Sequence, residues 1–192
     1  MTTYLETERL TLRQLTPDDL DALLALDSDP AVMRYITGGR LTTREEMRDV
    51  YLPWWLAYYE RGGAWGFWAA IERATGAFLG WFHLRPNAED PPDEPELGYR
   101  LVQPAWGLGL ATEGSIGLID KAFTELGARR VYATTMAVNT GSRRVMEKAG
   151  MRFVRTFTMP WPDKIEGDEE GDVEYAITRE EWESDRTGHD AE

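Results

Sequence analysis

Two glycines separated by a single residue lie in the segment PAWGLGLATEGS, which covers residues 104–115. Glycine lets the backbone approach an anion closely, and Gly107 and Gly109 directly precede a segment with helical periodicity. The first N–H groups of a helix have no partners within it, and the helix dipole is positive at this end, so pyrophosphate is a suitable ligand. The spacing therefore predicts an anion-binding loop, but the same pattern is also typical of glycine-rich turns that bind nothing.

Two nucleotide-binding motifs compete with this interpretation. The dinucleotide fingerprint requires a third glycine where this chain has Thr112, and the next predicted strand, residues 129–138, has no acidic residue for a ribose. A P-loop is excluded because the chain contains no Gly-Lys-Ser or Gly-Lys-Thr sequence. A nicotinamide-dependent enzyme is therefore kept only as a third alternative.

The composition limits the class of protein. The 192 residues include 21 lysines and arginines against 34 aspartates and glutamates, which gives a net charge of −13. This balance argues against a nucleic acid partner, because phosphate contacts need a basic face. The absence of cysteine excludes disulfides, thiolate metal sites and a cysteine nucleophile, and no metal is expected. No segment resembles a signal peptide or is apolar enough to cross a membrane, so we expect a cytoplasmic protein without membrane contact.

The order of the predicted elements indicates the fold class. Alternating apolar residues predict a first strand at residues 9–15, and a capping box at Thr16 and Asp19 begins the first helix. A second capping box near residue 43 begins a helix that Pro53 kinks or splits. Further strands are predicted at residues 65–72, 77–85, 96–102, 129–138, 151–161 and 173–178, and further helices at 111–126, within 139–150 and after 179. This order indicates an α/β single domain with a mixed central sheet flanked by helices.

Three segments together resemble one protein family. Residues 106–113, WGLGLATE, resemble the acyl-CoA pyrophosphate loop of the GNAT acetyltransferase superfamily, and the tryptophan at this place is usual in its RimJ/RimL-like branch. The segment TERLTLR at residues 7–13 and the spaced Asn, Ser, Val, Glu-Lys and Gly residues of 139–150 resemble the same branch. The resemblance covers about residues 4–182 and implies a single-domain GNAT acyl-CoA acyltransferase fold, with residues 183–192 as a frayed tail.

The resemblance also implies where acetyl-CoA is bound as a co-substrate. The pantetheine arm lies along Leu101 and Val102, and the N–H of Val102 holds the thioester oxygen. Asn139 contacts the pantetheine amide, and Ser142 and Arg143 lie near the thiol and the nucleotide. The expected contacts are Leu101, Val102, Trp106, Gly107, Leu108, Gly109, Leu110, Ala111, Thr112, Asn139, Ser142 and Arg143. Helix capping is the alternative role for Asn139 and Ser142.

An amine that attacks a thioester must first lose a proton, because its pKa is about 10. A carboxylate is suited to accept this proton, and Glu96, in the strand before the loop, is the first candidate. The alternatives are that Glu96 only ends the acidic loop before it, and that the second candidate base, His83, is a structural residue. Many family members have a tyrosine acid where this chain has Met146, so Ser142 is the candidate that protonates the leaving thiol.

The resemblance places the acceptor between the early helices and the loop that joins the last two strands. In this chain that loop, residues 162–172, is acidic, and the loop at 86–96 is acidic as well. Two acidic loops near one mouth predict a cationic acceptor, and two solvated loops are the alternative. The expected pocket residues are Tyr35, Trp54, Trp55, His83 and Trp161.

The favoured function is an acetyl-CoA-dependent N-acetyltransferase. It moves an acetyl group to a primary amine, of a protein N-terminus or a small molecule, by direct attack on the thioester. The alternative is a non-catalytic acyl-CoA-binding or regulatory protein with the same fold, because the usual tyrosine is absent. The sequence does not identify the acceptor, and it leaves a homodimer open.

Overall fold

The computed structural model describes residues 2–161 and 164–189, which form one sheet of eight strands in the order β1-β2-β3-β4-β5-β6-β8-β7. The strands are β1 Thr3–Glu6, β2 Leu10–Gln14, β3 Gly66–Glu72, β4 Phe78–Arg85, β5 Glu96–Leu101, β6 Arg130–Met136, β7 Arg152–Phe157 and β8 Asp172–Thr178. Neighbouring strands are antiparallel, except that β5 and β6 are parallel. The predicted mixed sheet is confirmed, and β1, which the sequence analysis did not predict, is added at its edge.

Helices cover both faces of this sheet, as the sequence predicts. They are α1 Leu20–Asp27, α2 Pro30–Thr37, α3 Arg44–Glu46, α4 Leu52–Glu60, α5 Leu110–Thr124, α6 Thr140–Lys148 and α7 Arg179–His189. Thr43 and Glu46 form the predicted capping box, because the side chain of each accepts a hydrogen bond from the backbone N–H of the other, at 3.1 and 2.8 Å. A π-type turn, Met47–Tyr51, joins α3 to α4, and Pro53 lies in the first turn of α4, where its missing N–H is tolerated.

Two boundaries near the C-terminus differ from the prediction. The strand predicted to reach residue 161 ends at Phe157, shortly before Pro160, which has no N–H to donate to a strand partner. The tail expected to fray from residue 183 is helical as far as His189, and residues 190–192 lie outside the described residues. Within the described residues, no helix combines the length and hydropathy needed to cross a bilayer.

Side-chain alternation divides the core into two clusters, one on each face of the sheet. On the face covered by α5 and α6, Phe82 of β4 shares a cluster with Phe123 of α5. Gly114 lets α5 approach this closely, since a Cβ there would lie 2.4 Å from the ring of Phe82. On the opposite face, called the α4 face here, the ring of Trp81 lies 5.6 Å from that of Trp55 in α4. The side chains of consecutive residues in β4 and β5 therefore point to opposite faces of the sheet.

The strands β5 and β6 separate after a single pair of residues, Glu96 and Tyr132. Each strand is fully paired on its other side, β5 with β4 and β6 with β8. These pairings hold the two strands on diverging paths, so backbone groups along the facing edges have no strand partner. The opening between β5 and β6 lies directly before the loop that contains Gly107 and Gly109.

A buried ion pair holds α1 against the α4 face of this sheet. Nη1 of Arg100 in β5 lies 2.5 Å from Oδ1 of Asp27, and the side chains are 14% and 4% exposed. Thr42 adds a hydrogen bond to Asp27 at 3.2 Å. Removal of either charge would leave the other buried and unpaired, which is far more costly than losing an exposed pair.

We expect Arg100→Met to lower the free energy of unfolding by about 3–5 kcal/mol, because it leaves the carboxylate of Asp27 buried without its partner. The matched control is Arg152→Met, which removes an arginine that is 59% exposed and pairs with Glu181 at 2.9 Å. That control should cost about 0–1 kcal/mol. Urea unfolding of both variants measures the difference, and equal losses would show that the buried pair contributes no more than the exposed one.

Candidate active site

The loop between β5 and α5 has the backbone geometry of an anion site. Gly107 and Gly109 adopt φ of +74° and +80°, values that favour glycine, and Gly109 caps the N-terminus of α5. No described residue accepts a hydrogen bond from the N–H of Gly107, Leu108 or Gly109. The N–H groups of Leu110, Ala111 and Thr112 belong to the first turn of α5, where helices leave donors unpaired. The loop therefore presents consecutive donors at a positive helix end.

Side chains hold this loop at both ends. The indole of Trp106 donates to the backbone oxygen of Leu101 at 2.8 Å, which ties the start of the loop to the end of β5. Arg9 of the β1–β2 connection donates to the oxygen of Leu108 at 2.9 Å, and it also pairs with Glu113 in the first turn of α5. No chemistry was predicted for Arg9 or Glu113 from the sequence, although both lie in the family-like segments TERL and ATE.

The expected role of Val102 is wrong. Its N–H donates to the oxygen of Leu79 in the neighbouring chain segment at 2.9 Å, so it is not available to a thioester oxygen. Because backbone groups alternate in direction along a strand, the N–H of Leu101 points to the opposite edge, toward the opening between β5 and β6. Leu101, which was expected to line the pantetheine arm, is therefore the better placed donor.

The residues of α6 are held by contacts within the chain. Oδ1 of Asn139 accepts from the N–H of Ser142 at 3.2 Å, which confirms the capping role of Asn139. Nε of Arg143 donates to the hydroxyl of Tyr175 at 3.2 Å. The hydroxyl of Ser142 lies 3.0 Å from that of Tyr99 in β5, a partner that the sequence analysis missed. The one sequence signal for this contact is the alternation of side chains along β5, which points Tyr99 to the face opposite Glu96.

The Tyr99 phenol is a donor at neutral pH. Burial raises the pKa of Tyr99 to about 12, and its hydrogen bond with Ser142 offsets this only in part. The protonated phenol donates to the backbone oxygen of Ser142 at 3.3 Å and lies 3.0 Å from its hydroxyl, on the side of the sheet that α5 and α6 cover.

The two candidate bases, Glu96 and His83, lie side by side on the α4 face. Nε2 of His83 is 3.7 Å from Oε2 of Glu96, and a guanidinium nitrogen of Arg85 is 3.6 Å from the same oxygen. Thr134 of β6 donates to the other carboxylate oxygen at 3.0 Å. Gly98 makes this arrangement possible, since a Cβ there would lie 2.5 Å from Cε1 of His83. Glu96 therefore stands where β5 and β6 separate, and its carboxylate is contacted by side chains of β4 and β6.

His83 is poorly suited to accept a proton. Burial, together with the positive charges of Arg85 and Arg100, lowers the pKa of His83 well below its ordinary value. The imidazole is therefore neutral at neutral pH and has little affinity for a further proton. Glu96 is the better candidate for accepting the proton of an amine.

Aromatic rings form a wall beside these bases. The ring of Phe67 in β3 lies 5.2 Å from Trp54, 5.3 Å from Trp55 and 5.2 Å from His83. Trp55 is buried, whereas Trp54 is 47% exposed and has the guanidinium of Arg85 5.4 Å from its ring centre. Three of the five expected pocket residues, Trp54, Trp55 and His83, thus meet around one ring.

Comparison with known proteins identifies the family. A family model described as an acetyltransferase (GNAT) domain matches residues 9–152. The chain is a GNAT acetyltransferase. It is 37% identical over 184 residues to the FsC-acetyl coenzyme A-N(2)-transacetylase of Aspergillus fumigatus. The alignment covers 93% of this chain and 77% of that relative.

Solved structures agree with this assignment. A GNAT acetyltransferase from Bacillus anthracis superposes with a TM-score of 0.76 at 25% identity, covering 92% of this chain and 98% of its own. RimL, a ribosomal L7/L12 alpha-N-protein acetyltransferase solved with coenzyme A, has a TM-score of 0.76 at 19% identity, again covering 92% and 98%. At that identity, the likeness to RimL concerns the fold alone.

The two acidic loops of this GNAT acetyltransferase do not flank one mouth. Asp93 and Glu94 of the β4–β5 loop bond to Arg129 and Arg130, at the start of β6. The β7–β8 loop instead reaches the end of β6, where Asp172 pairs with Met136. The seven residues of β6 separate these ends by about 20 Å. The prediction of one acidic mouth is therefore wrong, because the loops lie at opposite ends of a strand.

Tyr35 and Trp161 lie apart from the ring cluster around Phe67. The indole of Trp161 donates to Asp172 at 3.3 Å and lines a depression of about 430 Å³ on the β7–β8 loop. The ring of Tyr35 in α2 packs against Arg34, which bonds to Glu166 of the same loop at 3.1 Å. Among the described residues, no ring contact joins Tyr35 or Trp161 to that cluster. Asp163, also expected in this acidic loop, lies outside the described residues.

The buried imidazole of His83 should make this GNAT protein less stable in acid. Its pKa in the folded chain is below the ordinary value of about 6.5, so below pH 6.5 the unfolded chain binds more protons than the folded chain. Each pH unit below 6.5 should therefore remove up to about 1.4 kcal/mol of the free energy of unfolding, and none of this loss occurs above pH 6.5.

Urea unfolding at pH 7.5 and 5.5 measures this effect, with His83→Phe as the reference because it keeps an aromatic ring but cannot be protonated. Acidification should destabilise the wild type more than the variant. Equal losses in the two proteins would contradict a depressed pKa at His83.

Proposed function

We propose that the chain is an acetyl-CoA-dependent N-acetyltransferase that transfers an acetyl group to a primary amine by direct attack on the thioester. The observation that carries this proposal is the placement of Glu96 where β5 and β6 separate, with a loop of unpaired N–H groups beyond the end of β5. The segments TERLTLR and WGLGLATE further support membership of the RimJ/RimL-like branch.

The loop fits the pyrophosphate of acetyl-CoA. Its donors are unpaired, its two glycines hold the left-handed backbone conformation, and a Cβ at Gly107 would meet nothing within 4 Å. Residues 106–112 would bind the pyrophosphate, and the N–H of Leu101 would face the thioester oxygen. Bound acetyl-CoA would supply an activated acyl group, and these backbone groups would position its thioester.

Proton transfer is assigned to Glu96. An alkyl ammonium with a pKa near 10 is almost fully protonated at pH 7, so a base that accepts its proton raises the fraction able to attack. Thr134 and Asn87 donate hydrogen bonds to the carboxylate of Glu96 at 3.0 and 3.3 Å, and a guanidinium nitrogen of Arg85 lies 3.6 Å from it, so it is kept in place beside the opening. The thiol that leaves has a pKa of about 8.5, so protonation by Ser142, held by Tyr99, is a modest aid.

The acceptor is an amine nitrogen of a protein N-terminus or a small molecule. Support comes from the printed name of the Aspergillus relative, which places its acetyl transfer on N(2). The amine would approach from the α4 face, where Trp54 is half exposed beside Glu96 and His83. Asp93 and Glu94 of the β4–β5 loop contribute little to its recognition, because they already pair with arginines.

We expect Gly107→Ala to weaken CoA binding about tenfold, because a Cβ disfavours φ of +74° and turns the loop donors away from the pyrophosphate. Gly76→Ala is a matched control, since Gly76 has φ of +75° in the β3–β4 turn and, like Gly107, no atom within 4 Å of its Cβ position. Both variants should lose about 1–2 kcal/mol of stability. Calorimetric titration with CoA separates them, and equal affinities would contradict a pyrophosphate site at this loop.

We expect Glu96→Gln to reduce kcat/KM by roughly 100-fold or more, because the amide cannot accept the proton of the amine. The acceptor is first found by a thiol-release screen of amines and peptides with acetyl-CoA. The variant should regain rate as the pH rises toward the pKa of the amine, while its affinity for CoA stays unchanged. His83→Phe, the control, should lose less than about tenfold.

A Glu96→Gln variant within about threefold of the wild type would remove Glu96 as the base. CoA binding without thiol release for any amine or peptide would overturn catalysis and favour the non-catalytic acyl-CoA-binding alternative.

A further inference from the structure

The turn between β1 and β2 is bonded to the start of α5, about one hundred residues away in sequence. Glu113 accepts hydrogen bonds from the Thr7 hydroxyl at 2.6 Å, from the Arg9 N–H at 2.7 Å and from Arg9 Nε at 2.6 Å. On its other side the turn is held by Arg73, which donates to the backbone oxygens of Thr7 at 2.6 Å and Arg9 at 2.9 Å. The side chain of Arg9 is therefore fixed in place although it is 46% exposed.

The same guanidinium reaches the glycine loop. Nη1 of Arg9 donates to the oxygen of Leu108, and Nη2 lies 3.5 Å from the position of a Cβ at Gly109. No described residue accepts a hydrogen bond from Nη2. Arg9 thus places a free, charged donor beside the unpaired N–H groups of Gly107, Leu108 and Gly109.

Glu113 explains why a positive charge is needed at this place. It lies in the first turn of α5, so its negative charge would oppose an anion bound at the helix end. Burial raises the pKa of Glu113, but the hydrogen bonds from Thr7 and Arg9 outweigh this effect, so the pKa lies below its ordinary value. The carboxylate is therefore ionised, and Arg9 cancels its charge while keeping Nη2 directed to the loop.

We propose that Arg9 binds the pyrophosphate of acetyl-CoA through Nη2, while Glu113, which Thr7 fixes by a hydrogen bond, holds its guanidinium against the glycine loop. This inference rests on the proposed function and adds a residue from outside the loop to the donor site. Lysine cannot replace arginine fully there, because one ammonium group cannot bond Glu113, Leu108 and a phosphate in the fixed geometry of a guanidinium.

The test uses calorimetric titrations with three probes: CoA, dephospho-CoA, which lacks the 3′-phosphate, and pantetheine, which lacks all phosphates. Arg9→Met should weaken CoA and dephospho-CoA about tenfold each and leave pantetheine unchanged. Arg152→Met, which removes an exposed arginine bonded to Glu181, should leave all three affinities unchanged. Thermal unfolding checks that each variant is folded. If Arg9→Met does not fold, Arg9→Lys replaces it and should lose less affinity for CoA and dephospho-CoA, again with the affinity for pantetheine unchanged.

An equal loss with pantetheine would overturn the proposal, since Arg9 would then support the fold and not a phosphate. A loss with CoA that is absent with dephospho-CoA would also overturn it, because the contact would be to the 3′-phosphate. Failure of the wild type to bind any of the three probes would instead refute the proposed function itself.

Discussion

The separation of β5 and β6 is the constraint on which the site depends. A parallel pair in the middle of a sheet normally shares hydrogen bonds along its length, but here each strand follows its antiparallel neighbour and only Glu96 and Tyr132 remain paired. Polar backbone groups on the facing edges then need partners from water or a ligand. A ligand that carries amide groups along an extended chain can replace the missing strand contacts, which suits the pantetheine part of CoA.

Alternation along β5 assigns different tasks to its two faces. Glu96 faces the helices α1 to α4 together with His83, and Tyr99 faces α5 and α6, where it holds Ser142. Residues three positions apart in one strand therefore place a carboxylate and a pair of hydroxyls on opposite sides of the same opening. The sheet alone keeps the pair of Glu96 and His83 apart from the pair of Tyr99 and Ser142.

Local features of this site were predictable from sequence, and long-range ones were not. The role of Gly109 depends on one helix end, and capping rules describe it well. The prediction for Val102 is wrong by a single residue, because backbone N–H groups of consecutive strand residues point in opposite directions. The pattern of side chains in the sequence does not indicate which of two neighbouring N–H groups faces the opening. The contact of Arg9 with Glu113 and the separation of the two acidic loops depend on how the strands are ordered, which becomes visible only in the folded sheet.

The contact between His83 and Gly98 limits the order in which this site can change during evolution. Any side chain at position 98 would occupy the space of the imidazole, with a Cβ 2.5 Å from Cε1. A lineage can therefore gain a side chain at position 98 only after His83 has become smaller or has turned away. The two positions should thus vary together among relatives, with glycine at 98 wherever an aromatic or imidazole ring stands at 83.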